Sequence, residues 1–242
     1  MSAHAVRPSD NRLLAALPQE EYARLLPRLE LVSLATRATL HEADTPIDRV
    51  YFPLTAVASV TTLMADGAMV EVGTIGREGT TGLPAFFGAE VSPLVTFIQV
   101  PGDVVRLPLA AFREAAASGT ALHALLLRFA QAYYILTAQS AGCNRLHPVE
   151  ERCARWLLLT EDRAGRGTFP LSHEFLGLHA RRAARQRDDG DGRAPAGGAA
   201  DLPPGDRHDP GPARPGGGEL RVLRRHRQGV HHPPCPRLSI PG

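Results

Sequence analysis

The spacing of hydrophobic and polar positions changes along this chain and is lost near its end. Residues 11–29 place leucines three and four positions apart, as a helix does, and Pro18 divides this segment into two short helices. Residues 31–107 contain short apolar or alternating runs separated by turn residues, which predicts strands over 31–34, 50–52, 56–60, 69–72, 97–100 and 104–107. Asp66-Gly67 separates two of these runs and predicts a hairpin turn, because glycine accepts a positive φ.

Three further helices are predicted after the strands, over 109–117, 120–143 and 148–160, with Pro148 in the first turn of the last. The long helix carries an apolar stripe, and a helix that follows a complete β unit has little left to cover. We therefore expect the stripe to pair with a second copy in a twofold dimer, and packing against its own β unit is the alternative. The residues assigned to this dimer interface are Leu122, Leu126, Phe129, Tyr133 and Leu136.

Beyond Leu178 the composition changes abruptly. The last 64 residues contain no Phe, Tyr or Trp, but 11 Gly, 10 Pro and 12 Arg. Such a segment buries too little apolar area to offset its ordering entropy, so we expect residues 179–242 to be disordered. Residues 1–178 carry 15 Arg against 18 Asp and Glu, whereas the tail carries 12 Arg against 7 acidic residues. The part expected to fold therefore has no overall basic character of the kind that binds nucleic acid.

The candidate cofactor ligands are too scattered to predict a site. Cys143, Cys153 and Cys235 have no CxxC spacing, which argues against a zinc site or a disulfide framework. The histidines of the part expected to fold are expected at the surface or at helix ends, so neither haem nor an iron–sulfur cluster is predicted; they are His41, His123, His147 and His173. We expect no metal and no cofactor.

Catalysis and membrane insertion are likewise not expected. No nucleophile–base arrangement occurs, and Glu71 and Asp103 are interpreted as surface strand and turn residues, so an enzyme is not predicted. The N-terminus lacks an apolar signal segment, and the longest apolar run is far too short to span a membrane. These features favour a cytoplasmic bacterial protein.

Several motifs accompany this order of elements: His41–Asp44 followed by 50–52, the Asp66-Gly67 turn, the segments 76–79 and 82–88, Pro101–Leu107 and Arg152–Leu158. In this order they resemble the Crp/Fnr family of bacterial transcription regulators, and Pro101–Leu107 is similar to the last strand pair of that family's barrel. The resemblance implies an α+β fold with a jelly-roll barrel of the cyclic-nucleotide-binding type. It also implies a sensor barrel over 11–118, a dimerisation helix over 119–145 and the start of a winged helix-turn-helix over 146–178.

The segments 76–79 and 82–88 resemble the phosphate-binding cassette of the family. In members that bind cyclic AMP, the cassette holds a Gly-Glu pair and, shortly after it, an Arg that binds the cyclic phosphate. Here Leu83 stands at the position of that Glu, and residues 89–94 offer no Arg. Cyclic AMP and cyclic GMP are therefore not expected as ligands, and the cassette is predicted either to bind another small molecule or to be structural. The candidate pocket residues are Gly76, Gly79, Gly82, Leu83 and Ser92.

The family resemblance implies a DNA-reading winged helix after Leu171, of which only Ser172 and His173 remain as a recognisable start. A one-base shift of the reading frame near Leu178 explains the loss: codons for 179–193 can be chosen so that the shifted frame reads MLGVRRASVTMATGA. The alternative is a true disordered tail that binds phosphates non-specifically through its arginines. Specific DNA binding is expected to be weakened or lost, and the alternative function is a stand-alone effector-binding and dimerisation module.

Overall fold

The computed structural model describes residues 6–65, 67–165 and 169. Seven strands lie in this part of the chain: β1 Glu30–Leu34, β2 Thr39–His41, β3 Arg49–Pro53, β4 Val57–Leu63, β5 Met69–Ile75, β6 Leu94–Val100 and β7 Gly102–Pro108. They form a three-stranded sheet in the order β1-β7-β3 and a four-stranded sheet in the order β2-β6-β4-β5. All the pairings within the two sheets are antiparallel.

Six α-helices accompany the strands in the described ranges: α1 Arg12–Ala15, α2 Gln19–Leu25, α3 Leu83–Phe86, α4 Leu109–Ala115, α5 Ala121–Leu146 and α6 Val149–Ala164. Asn11 caps α1 by accepting from the Leu13 and Leu14 amides, and its own amide donates to the carbonyls of Pro53 and Gly79, both at 2.9 Å. This one buried side chain thus joins α1, β3 and the turn after β5.

The start of α5 is capped from two directions. Thr120 accepts from the His123 amide, and the carboxylate of Glu21 in α2 accepts from the amides of Ala121 and Leu122. These bonds satisfy backbone donors that a helix leaves open at its N-terminus, where negative charge is also favourable. The long helix is therefore anchored to the N-terminal helices at its first turn.

Each face of the three-stranded sheet packs against other parts of the chain. On one face, Val32 and Val104 pack with Leu40, Ala58 and Ile98 of the four-stranded sheet, which forms the interior of the sandwich. On the other face, β3 and β7 enter the largest core cluster together with the helices. That cluster contains Val50, Phe52, Val105 and Leu107 of the strands, Leu13 and Leu14 of α1, Phe112 of α4, and Leu122, Leu126 and Phe129 of α5.

The helix α6 covers the outer face of the four-stranded sheet. Its Trp156 packs with Val57 of β4, Val100 of β6 and Phe169 in a separate apolar cluster. Val57 and Ala58 are neighbours in one strand and therefore point to opposite faces, so α6 lies on the side away from the sandwich interior. The four-stranded sheet thus has the other sheet on one face and α6 on the other.

Each of the six strands predicted from the sequence coincides with an observed strand, extended by between one and three residues in most cases. The predicted hairpin joins β4 and β5, and Gly67 adopts φ +80 there; Asp66 lies outside the described residues. The short strand β2 is not foreseen. Pro101–Leu107 is not a strand pair, because β6 and β7 lie on either side of Pro101 and belong to different sheets.

Every helix predicted before residue 165 is present, and Pro148 is the N-cap of α6 rather than part of its first turn. No helix within the described ranges is long and apolar enough to cross a lipid bilayer. The predicted disorder of 179–242, the frame shift and the remnant residues Ser172 and His173 all concern residues outside the described ranges.

Candidate functional site

The glycines of the cassette-like segment pack against other parts of the chain. Gly76, Gly79 and Gly82 are buried, and a methyl group on any of them would overlap a neighbouring side chain. Those neighbours are Arg163 of α6 at Gly76, the Phe129 ring of α5 at Gly79, and Val50 of β3 at Gly82. The absence of side chains at these glycines therefore lets β3, α5 and α6 pack closely against the same segment.

The two other candidate pocket residues have structural contacts of their own. Leu83 is buried in the largest core cluster. The Ser92 hydroxyl is buried and accepts from the Leu94 amide at 3.2 Å, while its carbonyl accepts from the Asp44 amide at 2.8 Å. Ser92 therefore stabilises its own loop and the turn that contains Asp44.

Glu78 is the charged centre of the segment and is not among the residues predicted from the sequence. Its Oε1 atom accepts from the Arg163 Nε at 2.9 Å and from the Gly76 amide at 3.0 Å. The side chains of Glu78 and Arg163 are only 7% and 4% exposed, so the ion pair is buried. Nothing in the sequence around Glu78 indicates that its partner is Arg163, which lies 85 positions later, so the pair could not be predicted.

Glu71 lies at the middle of a second polar contact with α6. Its carboxylate accepts from the Ser59 hydroxyl at 2.5 Å and from the Trp156 indole N–H at 3.0 Å. Glu71 lies on a strand, as predicted, but it is not an open surface residue, because its carboxylate joins β4, β5 and α6. Alternation along β5 does place Glu71 on the outer face of the sheet, but it gives no information about the helix that covers that face.

Tyr133 lies close to these two carboxylates on the face of α5 that packs on β5. Its hydroxyl is 2.5 Å from the position that a Cβ atom on Gly73 would take. Burial raises the pKa of the Tyr133 phenol far above its ordinary value, so the hydroxyl is neutral. This hydroxyl has no hydrogen-bond partner among the described residues.

His41 holds the other end of the cassette-like segment. Its Nε2 lies 2.8 Å from the Thr81 hydroxyl, which also accepts from the Tyr51 amide at 3.2 Å, and the His41 and Tyr51 rings meet edge to face. Burial lowers the pKa of His41 to about 4, so the ring is neutral at physiological pH. The expectation of a surface or helix-end histidine is wrong for His41, which lies on β2.

The apolar stripe assigned to the dimer interface packs within its own chain. Leu122, Leu126 and Phe129 are buried in the main core, Leu136 is also buried, and Tyr133 is half-buried against Gly73. The assignment of these five side chains to a dimer interface is therefore corrected: the stripe covers the sandwich, which was the alternative. The physical reason is that the core face of the sandwich is not closed by α1 and α4 alone.

Two small cavities are present, and none of the five predicted pocket residues lines either of them. One, of about 210 Å³, is lined by residues 39–42 and 45–48, and the other, of about 200 Å³, lies between α2, α4 and the start of α5. No group of three or more His, Cys, Asp or Glu side chains converges in the described part of the chain. Cys143 is buried, and burial raises the pKa of the Cys153 thiol, so this thiol is not activated.

Comparison with known proteins gives matches of structure alone. No family model matches the sequence, and no curated protein matches it. Among solved structures, the c-di-GMP responsive global regulator CLP of Xanthomonas campestris is 12% identical with a TM-score of 0.54, covering 74% of this chain and 96% of that chain. The sensor domain of the transcriptional regulator DNR from Pseudomonas aeruginosa is 16% identical with a TM-score of 0.42, covering 57% and 90%.

A third similar structure is the regulatory subunit of a cAMP-independent protein kinase A from Trypanosoma brucei, which is 15% identical with a TM-score of 0.41. The match covers 45% of this chain and 40% of that chain, so the present chain spans less than half of that protein's length. The likeness to the Xanthomonas regulator concerns the fold alone. The predicted α+β jelly-roll fold is confirmed at that level.

Proposed function

We propose that this chain is a DNA-binding transcription regulator of the Crp/Fnr type by ancestry, with no catalytic role. The observation that carries the proposal is the order of its elements: an antiparallel sandwich, then the 26-residue helix α5, then α6 folded back onto the sandwich. In this proposal residues 11–118 are the sensor, 119–145 join two copies, and 146–178 begin the DNA-reading unit. The protein acts in the cytoplasm.

The sensor of this proposal does not take cyclic AMP. The cassette-like segment has Leu83 in place of a ribose-binding acid and no Arg in 89–94. Its one buried carboxylate, Glu78, is neutralised by Arg163. Without an Arg in 89–94, a cyclic phosphate placed there would lack the charge partner that cyclic-AMP-binding members provide, and the cost of its desolvation would be poorly offset. Any effector is a small molecule of another kind.

The dimer of this proposal uses the face of α5 opposite to the one predicted from the sequence. Exposed residues recur there at alternating intervals of three and four, which is the spacing of a two-stranded coiled coil. Leu127 is 51% exposed and Tyr134 is 74% exposed. The positions in this stripe are Ala124, Leu127, Gln131, Tyr134, Ala138 and Ala141.

The DNA reader of this proposal is interrupted by a one-base shift of frame near Leu178. In the sequence, Ser172 and His173 stand where its helix-turn-helix would begin, and arginine-rich residues follow in place of the pattern of a recognition helix. Such a tail contributes only electrostatic attraction to phosphates, which is independent of sequence and falls steeply with salt. The chain as written is therefore expected to bind DNA weakly and without specificity.

The test compares two proteins: the chain as written, and a chain whose frame is restored after residue 178. Each is incubated with a random pool of DNA duplexes, and bound sequences are selected and measured by gel shift at two salt concentrations. We expect the restored chain to select a palindromic site with nanomolar affinity, and the chain as written to select none. Specific nanomolar binding by the chain as written, or the same unbroken frame in independent isolates, would refute the truncation.

A further outcome separates ancestry from function. If neither protein selects a site, the regulator proposal fails and the stand-alone effector-binding and dimerisation module remains. Thermal shift of the chain against a panel of metabolites then tests that module, because a ligand raises stability by mass action.

A further inference from the structure

The contact between α6 and the sandwich has two parts, one apolar and one polar. The apolar part is Trp156 and Leu157 over Val57 and Val100. The polar part consists of two pairs, Glu71–Trp156 and Glu78–Arg163. Glu71 lies on β5 and Glu78 on the turn that follows it, and their partners lie on α6. We call these two parts together the α6 docking contact.

Arg163 is held from several sides at once. Its Nε donates to Glu78 Oε1, and its Nη1 donates to the Leu159 carbonyl at 3.3 Å, which orders the guanidinium. Its own carbonyl accepts from the Arg77 amide at 3.5 Å. The turn at 76–78 therefore contacts both the side chain and the backbone of α6, and a displacement of this turn acts directly on the helix.

The fit at Gly76 is close enough to exclude any side chain. A Cβ atom on Gly76 would lie 2.9 Å from both the Cα and the carbonyl oxygen of Arg163, and backbone atoms of a helix cannot yield without moving the helix. Gly76 is not among the glycines with positive φ, so its backbone conformation is open to alanine. The need for glycine comes from α6 alone.

The docked position of α6 carries an energetic cost. Several buried side-chain atoms around α6 have no hydrogen-bond partner among the described residues: Gln99 Oε1, Arg152 Nε, and Arg155 Nε and Nη2. Gln99 donates to Thr160 only at a distance of 3.5 Å. Each buried unpaired group opposes docking, because water would satisfy it on release. The face of α5 that packs on the core is mainly apolar.

We propose that the α6 docking contact is a conformational switch with a docked and a released state, and that the Glu78–Arg163 pair sets the balance between them. Breaking the pair leaves a charge buried and unpaired in the docked state, whereas both groups are hydrated in the released state. Movement of the turn at 76–78 thus acts directly on α6, at the start of the segment 146–178, without passing through α5. This inference goes beyond the proposed function and does not require DNA binding.

The chain carries its own reporter of this contact, since Trp156 is its only tryptophan and is buried there. The experiment uses the full chain and two independent variants, Arg163→Met and Gly76→Ala. The first removes the ion pair, and the second leaves both charges but forces α6 outward. The matched control is Arg106→Met, which removes the surface pair of Arg106 with Glu30 on the other sheet.

Tryptophan emission and hydrogen–deuterium exchange are measured for each protein at neutral pH. Both variants are expected to shift Trp156 emission to the red and to speed exchange of α6 amides by roughly tenfold or more, with β1, β3 and β7 unchanged. Arg106→Met is expected to match the parent protein. The proposal is overturned if α6 exchanges as in the parent, or if the whole sandwich exchanges faster together with α6.

Discussion

A glycine in the sequence can indicate that another part of the chain packs closely at that position, but it does not show which part. Gly79 is buried against the Phe129 ring, and Gly142 in α5 has open space around the position of a Cβ atom. We expect Gly79→Ala to lower the free energy of unfolding by about 1–3 kcal/mol through overpacking. Gly142→Ala should raise it by about 0.5–1 kcal/mol, because alanine is the better helix former. Urea denaturation of both variants checks this, and equal effects would contradict the assignment.

His41 gives a prediction about pH. Its folded-state pKa is about 4, against 6.5 for the exposed ring, so between these values the unfolded chain binds a proton that the folded chain does not. Stability therefore falls as the pH is lowered from about 6.5 to about 4, by up to about 3 kcal/mol. The unfolding free energies of the parent and of His41→Gln should converge toward pH 4. The free energy of the variant should depend less on pH, because the variant lacks this titrating ring. Parallel curves would show that His41 titrates normally.

At the scale of elements, the strands were predictable because alternation and turn residues are local signals. Val50–Phe52 consists of β-branched and aromatic residues, and Val104–Leu107 is apolar except for Arg106, so both runs predict strands without knowledge of a partner. The strand Thr39–His41 was missed because it has three residues, one of them buried, and its pairing with β6 is irregular. The long-range pairs Glu78–Arg163 and Glu71–Trp156 do not affect the spacing of apolar residues along the chain. The polar contact of α6 was therefore not predictable.

The two faces of α5 give a prediction from adjacent residues. Leu126 is fully buried, whereas Leu127 is 51% exposed, the same fraction as Leu31 on β1. Leu126→Ala should cost about 2–5 kcal/mol of stability, measured by urea denaturation. Leu127→Glu should leave the fold intact and separate the proposed dimer in sedimentation equilibrium, and Leu31→Glu should leave that dimer unchanged. A monomeric parent protein, or a dimer unaffected by Leu127→Glu, would contradict the coiled-coil face.

At the scale of the whole molecule, the amphipathic spacing of α5 showed that one face is buried but not against what. A stripe buries equally well against a second copy or against its own sandwich, and the choice depends on how much of the core the other helices leave open. Here α1 and α4 cover only part of the face that contains Val50 and Leu107, and α5 completes it. The outer stripe remains exposed in the single chain, and in the proposed dimer it is the face that pairs with a second copy.

The same arrangement leads to a prediction about cyclic nucleotides. A ligand in the cassette-like segment would have to displace Phe129 from Gly79 and Arg163 from Gly76, which would open the main core and break a buried ion pair. The binding energy of a small ligand would be largely consumed by these losses. We therefore expect cyclic AMP, cyclic GMP and cyclic di-GMP at millimolar concentration to leave the melting temperature of the full chain unchanged.

Calorimetric titration provides an independent measurement, and a micromolar dissociation constant for any of the three would show that the segment opens at small cost. In that case Gly79→Ala, which fills the space with a methyl group, should abolish the binding, whereas Gly142→Ala should not.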